Sequence, residues 1–267
     1  MEELIFLNDG SYELDAGAYF GIVPRAIWSK YFRDRDNKIR ITTNVPMLNI
    51  NNKHIILDAG IGNNFSDKFN KIFNPVKDHD IEETLQNDYH ITRVDDIIVS
   101  HMHFDHCGHV FSKNSLFRKS KLIVQKKELH AFRHPNQFTR GSYIKDRIIP
   151  EIYALNGSKR INANVSTIIT GGHSEGHMVT VFNINSKKYM YGGDLFPSAF
   201  HIKPYYITAI DSYPLDTLRI KNKLLKKAIK ESISIIFNHD MDNVIARVYG
   251  TPEKPELEFH DIKNSLY

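Results

Sequence analysis

Within the ten residues SHMHFDHCGH, positions 100 to 109, the chain places four histidines and one aspartate. Imidazole nitrogen and carboxylate oxygen are donors that suit zinc, manganese, iron and cobalt, so the stretch reads as a set of metal ligands. In H-x-H-x-D-H, the side chains of His101, His103 and Asp105 project the same way from an extended chain, whereas His106 projects oppositely unless the backbone turns. A turn at 104 to 106 would let this one loop feed two neighbouring ions. With each specified residue at about one position in twenty, a chance match anywhere in the chain has a probability of roughly two in a thousand. Packing gives no competing reason for the cluster, because imidazoles crowded without a ligand repel one another on protonation.

More donors follow downstream. GGHSEGHM carries His173 and His177, YGGDLF carries Asp194, and FNHD carries His239. His109 and His173 are read as side chains that hydrogen-bond behind the ligands at least as readily as they bind metal. His54, His79, His90, His130, His134 and His260 stand alone and read as ordinary surface or hydrogen-bonded residues. Cys107 is the one cysteine, which excludes an internal disulfide and leaves any metal to nitrogen and oxygen. It reads as a small buried residue.

Elements must bring these donors together. Apolar runs bounded by turn residues predict strands at 45 to 50, 54 to 58, 95 to 100, 121 to 125, 165 to 170, 179 to 184, 188 to 193, 232 to 237 and 244 to 249. Helices are predicted at 65 to 73, at 81 to 87 with Asp80 and Glu83 in capping-box positions, and across 216 to 231. In the last of these Leu218, Leu225 and Ile229 recur at roughly helical spacing, and the lysines are expected to form a solvated basic face. Four of the predicted strands run directly into a loop that carries His or Asp. Loops leaving one edge of a sheet are where sites are assembled, because the sheet holds their roots rigidly.

Composition sets the frame. A chain of 267 residues, 41% hydrophobic, buries a full core, and one mixed α/β domain over 1–267 is the economical reading. A net charge of +4 is too mild to demand a nucleic-acid or membrane partner. The opening MEELIFLNDG is acidic where a secretory signal would be basic, so the expectation is a cytoplasmic protein with no apolar run long enough to span a membrane. The expected partner is a small-molecule substrate, and a homodimer is open.

The set HMHFDH, GGHSEGH, YGGDLF and FNHD, in this order, resembles the metallo-β-lactamase superfamily in its branch with a complete dinuclear site, and LDAG at 57 to 60 is similar to its early Asp-x-Gly loop. GAYFGIVPRAIW and GDLFPSAFHIKPYY resemble hydrolases related to N-acyl-homoserine lactonases and methyl-parathion-type hydrolases. The resemblance implies an αββα sandwich, two mixed sheets packed face to face with helices outside. It implies His101, His103 and His177 on one metal, Asp105, His106 and His239 on the other, and Asp194 bridging. Asp105 and Asp194 are then the carboxylates at the reacting centre. Two divalent ions are expected, zinc first, with manganese, iron or cobalt also suited to such donors.

Zinc lowers the pKa of bound water from 15.7 to roughly 7, so no strong side-chain base is needed. The expected reaction is hydrolysis of a lactone or carboxyl ester. A phosphotriester hydrolase and a redox enzyme with one iron, like the persulfide dioxygenases of the same superfamily, are the alternatives. Homoserine lactonases often carry a tyrosine three residues after the bridging aspartate, where this chain has Pro197. Phe20, Trp28, Phe104, Phe196, His201, Tyr205 and Tyr206 flank the motifs and are candidates for an aromatic cleft wall.

Overall fold

A computed structural model describes residues 2–63, 65–78, 80–111, 116–144 and 151–260. His79 lies outside the described residues. One sheet holds β1 (Glu3–Asp15), β2 (Lys38–Ile50), β3 (Lys53–Leu57), β4 (Asp96–Ile98), β5 (Lys121–Gln125) and β6 (Ile152–Leu155), in that spatial order. The second holds β7 (Lys159–Arg160), β8 (Val165–Ile169), β9 (Met178–Ile184), β10 (Lys187–Tyr191), β11 (Ser234–Ile236), β12 (Ile245–Gly250) and β13 (Pro255–Phe259), again side by side in sequence order. Both sheets are mixed: β3 to β6 run parallel, as do β10 and β11, and the other pairs are antiparallel.

Strand periodicity explains the layering. Side chains of a strand alternate between faces; in β3 Ile55 and Leu57 join the core between the sheets, while Ile56 joins a second core on the outer face. Ile98 and Ile97 of β4 divide in the same way. A sheet apolar on both faces must be covered on both. Against the inner face, Met178, Phe182, Tyr191 and Ile236 of the second sheet meet Leu57, Ile98 and Ile123 of the first. Helices α1 (Ala16–Phe20) and α2 (Arg25–Trp28) follow β1, and α3 (Asp67–Phe73) follows β3. Ile81 and Leu85 of α4 (Ile81–Asn87), with Leu129 of α6 (Lys126–Arg133), cover the outer face of the first sheet. Leu224, Leu225 and Ala228 of α7 (Pro214–Glu231) cover the second. The result is the αββα sandwich.

Helix ends follow local chemistry. Asp80 accepts from the backbone N–H groups of Glu82 and Glu83 at the start of α4. Pro214 opens α7, where a missing N–H costs nothing, and Ser232 in the left-handed region closes it. The basic face of α7 differs from expectation at one position. Lys221 lies on the buried stripe with Thr217, Leu224, Leu225 and Ala228, and its Nζ donates to the carbonyls of His201 at 2.6 Å and Tyr206 at 2.7 Å.

β1, β6, β7 and β13, and the first half of β2, were not foreseen. In β1 the stretch Asn8-Asp9-Gly10 reads as turn punctuation, yet the structure uses it as an irregularity between Asn8 and Ser11 inside one long strand. β8 and β10 are both antiparallel to β9, and β11 is parallel to β10, so all three end at the same edge of their sheet. Their following loops carry His173 and His177, Asp194, and His239. Among the described residues no helix is long and apolar enough to cross a membrane.

Candidate metal centre

The stretch after β4 does turn. His103 precedes a one-turn helix, α5 (Phe104–Cys107), so His101 and His103 remain on one side while Asp105 and His106 swing to the other. Two donor groups result, His101, His103, His173 and Asp194 in one and Asp105, His106 and His239 in the other. Within each group one donor atom per residue lies within 4.8 Å of the rest, and all seven residues are buried.

Asp194 faces both groups. Its Oδ1 stands 3.1 Å from His106 Nε2 and 3.1 Å from His239 Nε2, while its Oδ2 stands 3.1 Å from His173 Nε2 and 3.9 Å from His101 Nε2. Asp105 Oδ2 lies 3.4 Å from His239 Nε2 and 3.6 Å from His106 Nε2. His101 Nε2, His103 Nε2 and Asp194 Oδ1 are buried with no hydrogen-bond partner among the described residues. Leaving one such atom unpaired costs about 1 to 3 kcal/mol, so three together mark donors kept free for a cation, and the nitrogen and oxygen set fits divalent metal.

Burial, then the repulsion of neighbouring imidazoles, holds His101 and His103 well below the ordinary histidine range, in the neutral form that ligates. Burial would push the Asp194 carboxyl up, but His106, His173 and His239 outweigh it and hold it well below its usual range.

The placement of His177 in this set is corrected by the structure. His173 takes the position beside Asp194 Oδ2, and His177 is committed elsewhere: Thr170 Oγ1 lies 2.6 Å from its Nδ1, and its Nε2 accepts from the Asp194 backbone N–H at 3.2 Å. His177 therefore positions the backbone of Asp194. The approach is close because Gly193 is a glycine, with φ of +48° and a would-be Cβ only 2.8 Å from His177 Nε2.

Three of the donor rings are aimed by a contact on the far nitrogen, a recurrent feature of metal sites. His173 Nδ1 lies 2.9 Å from Asp211 Oδ1, and Asp211 accepts from Thr208 at 2.6 Å and Thr217 at 2.5 Å. His239 Nδ1 lies 2.8 Å from the Thr42 carbonyl. His106 Nδ1 lies 2.7 Å from Asp58 Oδ2, and Asp58 also takes hydrogen bonds from Ser100 Oγ and Tyr191 OH, each at 2.7 Å. Glu128, fully buried, ties two ligand loops together, accepting from Met102 N at 2.9 Å, Tyr143 OH at 3.1 Å, Ser174 Oγ at 2.6 Å and Gly176 N at 3.1 Å. Nothing in the sequence singled out Glu128 or Asp211, since a carboxylate in a helix or loop reads as solvated.

Residues 41–235, well over half of the chain, match the profile of the Metallo-beta-lactamase superfamily. The chain belongs to that superfamily. Its sequence is similar to N-acyl homoserine lactonases, 36% identical over 83 residues to one from Bacillus thuringiensis and 26% over 151 residues to one from Bacillus cereus. The chain spans 30% and 56% of the length of those two relatives. Among solved structures it is similar to a probable metal-dependent hydrolase from Staphylococcus aureus, with TM-score 0.90 and 26% identity over 97% of both chains. It also shares its fold with AidC, a dizinc quorum-quenching lactonase, with TM-score 0.76 and 18% identity over 98% of this chain and 95% of that one.

In this chain a cavity of about 40 Å³ opens over the donors, lined by His103, Asp105, Asp194 and His239 together with Tyr12, Tyr19, Phe104 and Thr208. A second, of about 220 Å³, adjoins it and shares His103, Ser142 and Ile210, with Ala18, Phe138 and Ala209 as its further apolar walls. Of the aromatic residues expected to form the cleft, Phe104 lines it. Phe20 and Trp28 stack at 4.6 Å inside the core, Phe196 and Tyr206 are buried in packing clusters, and Tyr205 is exposed. Burial pushes the Tyr12 and Tyr19 phenols well above their usual range, so both stay protonated.

His109 belongs to a separate buried network. Its Nε2 lies 2.8 Å from Asp9 Oδ1 and its Nδ1 3.1 Å from Glu82 Oε1, while Lys77 donates to Asp9 Oδ1 at 2.6 Å. Cys107 is buried, its Sγ donating to the carbonyls of Met102 at 3.3 Å and His103 at 3.1 Å; burial holds its thiol protonated.

Proposed function

We propose that this chain is a cytoplasmic hydrolase that uses two divalent cations, zinc in the native enzyme, to open a lactone or cleave a carboxyl ester carrying a short apolar group. The observation that carries the reading is Asp194, whose Oδ1 stands 3.1 Å from His106 and His239 and whose Oδ2 stands 3.1 Å from His173. One carboxylate thus addresses two donor sets. His101, His103 and His173 with Oδ2 would hold one ion, and Asp105, His106 and His239 with Oδ1 the other. When bound, the pair supplies a water acidified toward neutral pH and a Lewis acid for the substrate carbonyl.

The chain's residues do the rest. Asp105 and Asp194 would offset the positive charge of bound dications. The contacts from Asp211, Thr42 and Asp58 fix the imidazole rings before substrate arrives, so little reorganisation is left to the reaction. Phe104, Leu14, Ile41 and Ile210 wall the cavity and exclude water, which strengthens the electrostatics inside.

Size favours a modest substrate. The inner cavity, of about 40 Å³, suits the compact reacting carbonyl group. The adjoining cavity of about 220 Å³ suits a short acyl or aryl substituent. The lactonases among the relatives support lactone or carboxyl ester ahead of phosphotriester.

The test is metal quantification on protein purified without added metal, followed by a panel of lactones, aryl esters and phosphotriesters. Two zinc-type ions per chain with turnover of lactones or esters is the expected result. A single iron per chain with oxygen consumption would overturn it in favour of redox chemistry.

A further inference from the structure

We infer that Tyr19 is a further catalytic residue, its hydroxyl donating a hydrogen bond to the oxygen that becomes negative at the reacting carbonyl. The inference rests on the hydrolase reading above and adds a residue outside the four stretches that supply the metal donors.

Two tyrosines line the cavity over the donor groups. The Tyr12 hydroxyl is engaged, donating to Asp105 Oδ2. The Tyr19 hydroxyl is buried and has no hydrogen-bond partner among the described residues. Of the nearby hydroxyls, Ser198 Oγ faces the phenol but is paired with His201 Nδ1 at 2.8 Å, and Thr208, which lines the same cavity, donates to Asp211 at 2.6 Å.

The Tyr19 ring cannot swing away to find water. It makes edge contacts with Phe20 at 5.1 Å, Phe32 at 6.2 Å and His201 at 4.6 Å, and His201 Nε2 lies 3.0 Å from the Tyr19 carbonyl. A buried hydroxyl without a partner costs free energy. A rigid phenol held at that cost beside His103, Asp105, Asp194 and His239 is a donor fixed in advance of its acceptor.

Ester and lactone hydrolysis supplies such an acceptor. Water's oxygen adds to the carbonyl carbon and the π electron pair moves onto the carbonyl oxygen. The ester C–O bond then breaks, and the departing oxygen takes the proton that water brought. Tyr19 keeps its own proton throughout. A donor aimed at the oxygen where charge develops acts on the transition state without reorganising.

The experiment compares metal-loaded wild type with Tyr19→Phe in four measurements: metal content, melting temperature, phenylphosphonate binding by calorimetry, and steady-state kinetics on the best ester or lactone of the panel. Phenylphosphonate is chosen because its tetrahedral anion mimics the charged oxygen. The variant should keep its metal and its melting temperature, because the oxygen removed has no partner. It should bind phenylphosphonate at least ~10-fold more weakly and lose about 100-fold in kcat with little change in KM.

A variant that matches wild type in both phosphonate affinity and kcat overturns the assignment. So does a fall in melting temperature or metal content, which would show that the hydroxyl serves the fold. Wild type that neither binds the phosphonate nor turns over any substrate overturns the hydrolase reading itself, and so is told apart from failure of Tyr19 alone.

Discussion

Asp211 Oδ1 stands 2.9 Å from His173 Nδ1, and that contact turns the opposite ring nitrogen to within 3.1 Å of Asp194 Oδ2. A carboxylate 38 residues away in sequence therefore decides which histidine of GGHSEGH completes the first donor group. His177, in the same loop, is held by Thr170 and by the Asp194 backbone.

The two histidines should separate cleanly in metal content. His173→Ala should fall from about two ions per chain to about one, since it empties a ligand position. His177→Ala should be less stable but retain both ions after dialysis. The reverse pattern, two ions in His173→Ala and one in His177→Ala, would restore the assignment made from the motif alone.

Asp211→Asn keeps the shape of the side chain but weakens its hold on His173. Loss of a partner behind a ligand typically costs 10- to 100-fold in metal affinity, and a loss of that size is expected in competition with a chelator. Affinity unchanged within twofold would show that Asp211 does not orient the ring.

Glu128→Ala should be among the most destabilising single changes in the ligand region. It leaves Met102 N, Tyr143 OH, Ser174 Oγ and Gly176 N without their acceptor. At about 1 to 3 kcal/mol per stranded buried group, with partial relaxation, denaturant titration should show a loss of at least ~3 kcal/mol, and metal affinity should fall because two ligand loops come apart. A loss below ~1 kcal/mol would contradict the role given to Glu128.

His109 should make the fold less stable in alkali. Burial alone would favour the neutral ring, but Asp9 and Glu82 outweigh burial and the opposing Lys77, lifting its pKa from 6.5 to about 9. Between these values the folded chain binds more protons than the unfolded one, so stability falls as pH rises from about 6.5 to about 9. His109→Asn should remove that slope, worth about 3 kcal/mol across the window, while keeping its metal. Identical pH profiles for variant and wild type would exclude the charged ring.

Lys221 should act in the opposite sense. Burial lowers its pKa from 10.5 to about 7, so across that range the unfolded chain binds more protons and stability rises with pH. Lys221→Met should flatten this rise. It should lower stability only toward about pH 10.5, where the burial cost of the lysine has gone and the carbonyls of His201 and Tyr206 still lose their donor. A rise of equal slope in the variant would assign the effect to another group.

The sequence by itself determined what depends on local spacing. HMHFDH, Asp194 and His239 announced a two-metal site because each donor sits at the root of a loop leaving a strand, and strand periodicity and capping residues placed most of the elements. Long-range packing decided the rest. The choice between His173 and His177 depends on Asp211 and Thr170, which approach the loop through folding of the chain. Lys221 read as one solvated lysine among several, yet it falls on the inward stripe of α7, where two carbonyls from the loop after Asp194 await a donor. Tyr12 and Tyr19 lie in a region whose turn-like Asn8-Asp9-Gly10 hid a strand, and only the crossing of β1 and the helix after it over the donors brings their hydroxyls to the cavity. Ligand identity can be encoded by neighbours in sequence. The direction in which a side chain points, and whether water reaches it, is set by whatever packs against it from elsewhere in the chain.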